Sequence, residues 1–360
     1  MRAAVLRSGQ MVVDEVAAPV PGPGQLLGRV MACGICGSDL HAVEHGDLMV
    51  AQQKKGGVGG LSFDLDRDVV MGHEFCVEVL ELGPGATGRL SEGDLVTSIP
   101  MAIHSGRPVA VGFANDLPGG YGELLILSEM LALPVPNGLA PELAAMTEPM
   151  AVGRHAVEKA NATKDDVVLV VGCGPVGLAV IAALKQKGLG PIIAADFSPR
   201  HRALAEALGA DEIIDPSDQS PYDRWQDVAW PDDADRDDPM IRITGPHPRP
   251  GLIFECVGVP GVLDAVMEGA MRDTRVVVVG VCMQQDLIRP LTGIGKELNL
   301  QFVLGYSAPE FADTLRGIAE GELAVEQMIT GRVGVDGVPQ AFRDLADPEA
   351  HAKIIVEPWR

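Results

Sequence analysis

Val167-Val-Leu-Val-Val171 runs straight into Gly172-Cys-Gly174-Pro-Val-Gly177, and Asp196 follows 19 residues after the last glycine. The unbroken run of branched apolar residues predicts a buried strand. The glycines then divide the work. Gly172 permits a tight turn, Gly174 lets the backbone approach a pyrophosphate, and Gly177 allows the following helix to pack close to the strand. The N-terminus of that helix presents N–H groups to negative charge. Gly172, Gly174, Pro175, Val176 and Gly177 are therefore candidate nucleotide contacts. Alone, such a glycine spacing is a weak signal; a strand before it and a helix after it make it a mononucleotide-binding turn. Asp196 ends the next apolar run. It can accept hydrogen bonds from ribose hydroxyls and would repel a 2′-phosphate, so the reading favours NAD over NADP. Arg200 and Arg202 pull the other way, because an arginine can accommodate that phosphate.

Outward from this turn, strand and helix alternate. Strands are predicted at 167–171, 191–196, 212–214, 251–255, 275–281 and 298–304, with helices at 176–187, 199–208 and 260–270. This pattern implies a doubly wound parallel sheet of six strands. The uncharged stretch Val167–Leu184 has nearly the length of a membrane span. Its three glycines and a proline make it a buried strand, turn and helix instead. Residues 215–250, with nine Asp and seven Pro, read as a solvated loop with at most one short helix near Tyr222–Val228.

Upstream, the first ~145 residues hold many short apolar runs between Pro/Gly turns, the pattern of a β-barrel-like domain. The last stretch ends in an apolar strand, Lys353-Ile-Ile-Val356. Six strands already complete the parallel sheet, so this end is expected to return to the first domain. The division is 1–147 with 305–360, and 148–304.

The first domain carries a second signature. Cys33-Gly-Ile-Cys36-Gly-Ser38-Asp39-Leu-His41 is followed, 37 positions after Cys36, by His73 within Gly72-His73-Glu74. Thiolate, imidazole and carboxylate together suit Zn²⁺, and three protein ligands leave an open position, as in a catalytic rather than a structural site. Cys36, His73, Glu74 and Glu148 are the candidate ligands. Glu148 lies in Met146-Thr-Glu-Pro-Met150. Ser38 and His41 are candidates to carry a proton between a buried substrate oxygen and water. Asp39 is a candidate to fix the tautomer of a ligating histidine. A Lewis-acid metal beside a dinucleotide points to hydride transfer to or from an alcohol carbon. Between these ligands lies a Gly-rich insertion, Val50–Asp68, read as a flexible loop that is either a lid or plain surface.

The net charge of −22 argues against a nucleic-acid partner or an anionic membrane. The six cysteines form no disulfide framework, which predicts a reducing, cytoplasmic location. The N-terminus lacks the apolar stretch of a signal peptide.

Nearly the whole chain resembles the zinc-containing medium-chain dehydrogenases. The matching residues are Cys36-Gly-Ser38-Asp39-Leu-His41, Gly72-His73-Glu74, Glu148-Pro149, Gly172-Cys-Gly-Pro-Val-Gly177, Phe254-Glu-Cys-Val-Gly258, Lys296-Glu-Leu-Asn-Leu-Gln301 and Lys353-Ile-Ile-Val-Glu-Pro358. Among them the polyol, butanediol and threonine dehydrogenases are nearest in pattern. The resemblance implies a GroES-like catalytic domain, an inserted Rossmann domain and a homodimer or homotetramer built through the Rossmann domains. It implies Cys36 and His73 as zinc ligands, and Glu74 as a third ligand or one that exchanges with water. Glu148 stands where other branches have a cysteine ligand, and its role stays open. Ser38 and His41 match the proton relay, and Asp39 the partner of His73. The chain departs from many members in having no cysteine between Ser98 and Tyr121, where those members hold a structural zinc. One catalytic zinc per chain is expected. The activity implied is oxidation of a secondary alcohol or polyol by NAD, or reduction of the ketone. A redox-neutral dismutase with tightly held NAD, and a non-catalytic nucleotide-binding protein, are the alternatives.

Overall fold

Val167–Val171 is the central strand of a six-stranded sheet in which every pairing is parallel. Its neighbours are Ile192–Ala195 and Gly251–Glu255. Beyond these lie Glu212–Ile214 on one side, and Arg275–Val278 then Asn299–Phe302 on the other. The strand order therefore reverses beside Val167–Val171, the place where such sheets bind ligands. The computed structural model describes residues 1–55, 64–232, 234–235, 238 and 240–360. The chain divides into two units, Met1–Pro149 with Ser307–Arg360, and Met150–Tyr306.

The uncharged run from Val167 splits as the glycines dictate, into the strand and the helix Pro175–Gln186. Leu178, Val180, Ile181 and Leu184 of that helix are fully buried. Among the described residues no helix is long and apolar enough to cross a membrane. Three strands are shorter than predicted: Ile192–Ala195, and the two that end at Val278 and Phe302. After Val278 the N–H groups of Val279 and Gly280 both turn to Glu255 O, which ends the ladder.

The 215–250 segment departs from expectation. It holds two helices, Pro221–Ala229 and Ile241–Thr244, and the first is part of the core. Ser220 caps it by accepting from Asp223 N, and Pro221 opens its first turn. Pro221, Trp225 and Ala229 recur every four residues and are buried together. Trp225 has no exposure and donates its indole N–H to Val167 O at 2.9 Å. A tryptophan buries about 200 Å², an upper bound of about 5 kcal/mol before chain entropy is set against it. The Asp and Pro content had hidden this apolar stripe.

In the first unit the ten-residue strand Gln25–Gly34 organises a seven-stranded sheet. It pairs with Glu74–Leu82, Leu124–Ser128 and Lys353–Val356. Register shifts at Leu27/Gly28 and Val30/Ala32 bend it, as bulges do. The C-terminal strand lies antiparallel to it, with Ile355 opposite Gly34 and Val356 opposite Cys33. The last residues thus reach the segment that leads into Cys36. The cysteine-free stretch after Ser98 forms a hairpin, Met101–His104 with Arg107–Ala110. Asn115 then ties it down by donating to the carbonyls of Asp64, Arg67 and Asp68. The helix starting at Gly37 kinks at His45 (φ −129°, ψ 29°) and a second helical stretch runs on to Lys54, so Val50–Lys54 is helical rather than loop. The glycines of that insertion, within 56–63, lie outside the described residues.

Candidate metal centre and nucleotide turn

Two strand ends and a helix start meet in the first unit. Cys36 is the N-cap of the helix Gly37–Lys54, with extended backbone (φ −96°, ψ 154°). Its N–H donates to Asp39 Oδ2 at 3.0 Å, which pins the first turn. His73 precedes the strand Glu74–Leu82, whose first residue lies opposite Gly34. A Cβ at position 34 would sit 2.0 Å from Glu74 Oε2, so only glycine leaves room for that carboxylate. Ligand atoms of Cys36, His73 and Glu74 all lie within 4.8 Å of one another, the one such cluster among the described residues. A thiolate, an imidazole and a carboxylate at that spacing fit a zinc ion.

The histidine is oriented from behind. Asp39, with no exposure, places Oδ1 3.3 Å from His73 Nδ1, at ion-pair distance but off hydrogen-bond alignment, on the ring nitrogen opposite Nε2. Ser38 Oγ lies 3.5 Å from that Nε2. Burial alone would push His73 down, but Asp39 and then Cys36 hold its pKa well above the ordinary histidine value. Phe113 packs against the imidazole at a tilt of 40°, with ring centroids 5.1 Å apart.

Lys353 completes this corner, and sequence reasoning missed its role. Its Nζ donates to both oxygens of Glu74, at 2.8 and 2.7 Å, and to Ile35 O at 3.0 Å. Neither partner is exposed by more than 1% of its side chain. Burial pushes the Lys353 pKa down; Glu74, Cys36 and Glu148 together raise it. Glu148 is buried near the start of the helix Thr147–Lys159. Its charge is felt at Lys353, but it is not in the three-residue cluster. One sign pointed to Lys353: it is the sole charge in a strand whose four residues are all buried, and such a charge demands a partner. His41 lies further along the helix, half-buried, with its ring stacked 6.3 Å from His45. Burial, followed by the neighbouring His45, lowers its pKa below 6.5.

In the second unit the turn has the geometry its glycines suggested. Gly172 has φ +89°. A Cβ on Gly177 would meet Gly172 O at 1.9 Å, whereas one on Gly174 would meet nothing within 4 Å. Open space beside Gly174, at the N-terminus of a twelve-residue helix, is where a pyrophosphate fits. Pro175 and Val176 form the first turn of that helix. Asp196 is bound to the turn itself: Oδ2 accepts from Cys173 N at 2.6 Å and Oδ1 from Ser198 N at 2.8 Å. Burial would raise its pKa, but His201 and these N–H groups outweigh it and hold the carboxylate low. Arg202 is committed elsewhere, to Asp215 at 2.8 Å and to the carbonyls of Asp196 and Phe197. Arg200 is exposed.

Both halves match known families. Residues 22–137 match the alcohol dehydrogenase GroES-like domain, and residues 175–320 the zinc-binding dehydrogenase domain. The (R,R)-butanediol dehydrogenase of Bacillus subtilis is 30% identical over 355 residues, covering 96% of each chain. The chain belongs to the zinc-containing medium-chain dehydrogenases. This dehydrogenase is also similar to the sorbitol dehydrogenase of Bacillus subtilis, at 25% identity over its whole length and 98% of that protein. The crystal structure of 2R,3R-butanediol dehydrogenase from Bacillus subtilis superposes with a TM-score of 0.78, at 28% identity and 99% coverage of both chains. Membership makes the chain an alcohol dehydrogenase-type oxidoreductase that uses zinc and a nicotinamide cofactor.

Proposed function

We propose that the chain oxidises a secondary alcohol bearing a neighbouring hydroxyl, a vicinal diol or polyol, with NAD as acceptor. The observation that carries the mechanism is the convergence of Cys36, His73 and Glu74 on one point, with Asp39 behind the imidazole. Cys36 and His73 hold the zinc, and Glu74 supplies the carboxylate. Glu148, whose charge acts on Lys353, is a further carboxylate for the same corner. When bound, zinc supplies Lewis acidity toward the substrate oxygen, and the nicotinamide supplies the two-electron acceptor. The chain's own residues manage protons and charge. Ser38, beside His73 Nε2, accepts a hydrogen bond from the substrate hydroxyl and passes its proton toward His41. His41, its pKa lowered, is neutral near pH 7 and takes that proton. Lys353 offsets the Glu74 charge, so the site does not become over-anionic when the Cys36 thiolate forms.

NAD preference is supported by Asp196 being fixed at the turn and by Arg202 being tied to Asp215. The diol class is supported by the relatives, which act on butanediol and sorbitol. A homodimer through the sheet edge is supported by the strand Asn299–Phe302. It is the last in the sheet and is flanked by exposed Leu291, Ile294, Phe302 and Leu304. Such an edge is usually paired or covered. The test is steady-state NAD reduction with 2,3-butanediol stereoisomers, sorbitol and simple secondary alcohols. A kcat/KM for diols at least tenfold above that for 2-butanol, with NAD preferred to NADP, is the expected result. Equal activity on 2-butanol, or none on any diol, would sink the substrate assignment.

A further inference from the structure

Asp39 is a fully buried carboxylate whose two oxygens have different duties. Oδ1 faces His73 Nδ1 at 3.3 Å. Oδ2 accepts from Cys36 N at 3.0 Å and from the hydroxyl of Tyr121 at 2.6 Å. The second is the short bond expected when an O–H meets an ionised carboxylate. Tyr121 is 48 residues from His73 and 82 from Asp39, and it too has no exposure.

The ring that carries this hydroxyl cannot drift. Tyr121 N donates to Met71 O, and Tyr121 O accepts from Ala4 N. The ring packs edge-on against Phe342, with centroids 5.8 Å apart and planes at 87°. On its other side lies Gly72, the residue before His73, with φ +102°. A Cβ at Gly72 would approach the ring to 2.8 Å. The hydroxyl can reach either Gly34 O at 3.3 Å or Asp39 at 2.6 Å, and the shorter, charged acceptor wins. Burial, followed by the Asp39 charge, pushes the phenol well above its ordinary pKa, so it remains a donor.

We propose that Tyr121 is a positioning residue of the metal corner: by holding Asp39 Oδ2 it turns Oδ1 toward His73 and so presents Nε2 to zinc. Two donors from separate segments, the Cys36 backbone and the Tyr121 side chain, fix the rotation of the carboxylate. Removing one leaves a single backbone donor and lets the carboxylate turn away from the imidazole. The inference rests on the reading of Cys36 and His73 as zinc ligands.

The experiment is a zinc affinity cycle by chelator competition at fixed pH on the full chain and its Y121F, D39N and D39N/Y121F variants. Urea unfolding of the metal-free forms is measured in parallel. Second-layer partners of metal ligands affect affinity by about 10–100-fold. D39N is expected to fall in that range and Y121F near its lower end, about tenfold. The double variant should bind no more weakly than D39N alone, because Tyr121 acts through Asp39. A folded Y121F with wild-type affinity would overturn the inference, as would a double variant that adds the full Y121F loss to that of D39N. Should Y121F not refold, 3-fluorotyrosine placed at position 121 alters the same bond. A several-fold change in zinc affinity supports the inference, and none overturns it. A wild-type chain that binds no zinc removes the ligand reading and this inference together; zinc bound equally by wild type and Y121F removes this inference alone.

Discussion

The nucleotide turn and the metal corner are built in opposite ways. The turn is a continuous piece of backbone, from Val167 to the helix at Pro175, and its function lies in N–H groups and missing side chains. One contact from outside, Asp196, comes from the next strand end. The metal corner is made of side chains from distant places: 36–39, 73–74, 121 and 353. A contiguous site tolerates small changes in distant packing. A dispersed site depends on buried partners from elsewhere in the chain; here Lys353 pairs with Glu74, and Tyr121 with Asp39.

The largest effect is expected at the ligand itself. Cys36→Ala should lower turnover by about 10³-fold or more, the scale of losing a direct electrostatic stabiliser, while NAD still binds the second unit. Loss of NAD binding alongside, read by fluorescence titration, would show the two sites are not separable. Next comes Lys353→Met, which leaves the Glu74 carboxylate buried without its partner. Breaking a buried pair from one side costs about 3–5 kcal/mol, to be read by urea unfolding of the metal-free protein. Adding Glu74→Gln should restore part of this; no restoration would mean that Lys353 serves packing rather than charge.

His41→Gln tests the proton path. General acid–base groups contribute about 10²–10⁴-fold, and the loss is expected at the lower end because water can substitute. In the parent enzyme, kcat for alcohol oxidation should fall as pH drops through the lowered His41 pKa, below 6.5, since only the neutral ring accepts a proton. An unchanged acid limb in the variant would place the proton elsewhere. The smallest effect is at the turn. Asp196→Ala should shift the NAD to NADP ratio of kcat/KM by about tenfold, one or two hydrogen bonds' worth. An unchanged ratio would mean that Asp196 braces the turn through Cys173 N and does not read the ribose.

The same contrast explains what the sequence made legible. The glycine spacing and alternating periodicity exposed the parallel sheet because each element there is local. Cys36, Asp39, His73 and Glu74 were legible because they lie in two short runs, and the structure brings those runs together. Lys353 was visible only as part of an apolar strand, and Tyr121 only as the end of the cysteine-free stretch from Ser98. Their roles are set by pairings across 279 and 82 residues, which no local pattern encodes. The helix Pro221–Ala229 was legible near Tyr222–Val228, but its burial was not: composition was weighed over 36 residues, and the stripe of Pro221, Trp225 and Ala229 was diluted.

On the reading proposed above, Cys36, His73 and Glu74 form one open zinc centre. The most direct test is metal content per chain on protein purified without chelator or added metal, for the parent chain and His73→Ala. About one zinc in the parent, and none in the variant under the same conditions, is the predicted result. No zinc in the parent even after reconstitution, or zinc retained in full without His73, would contradict it.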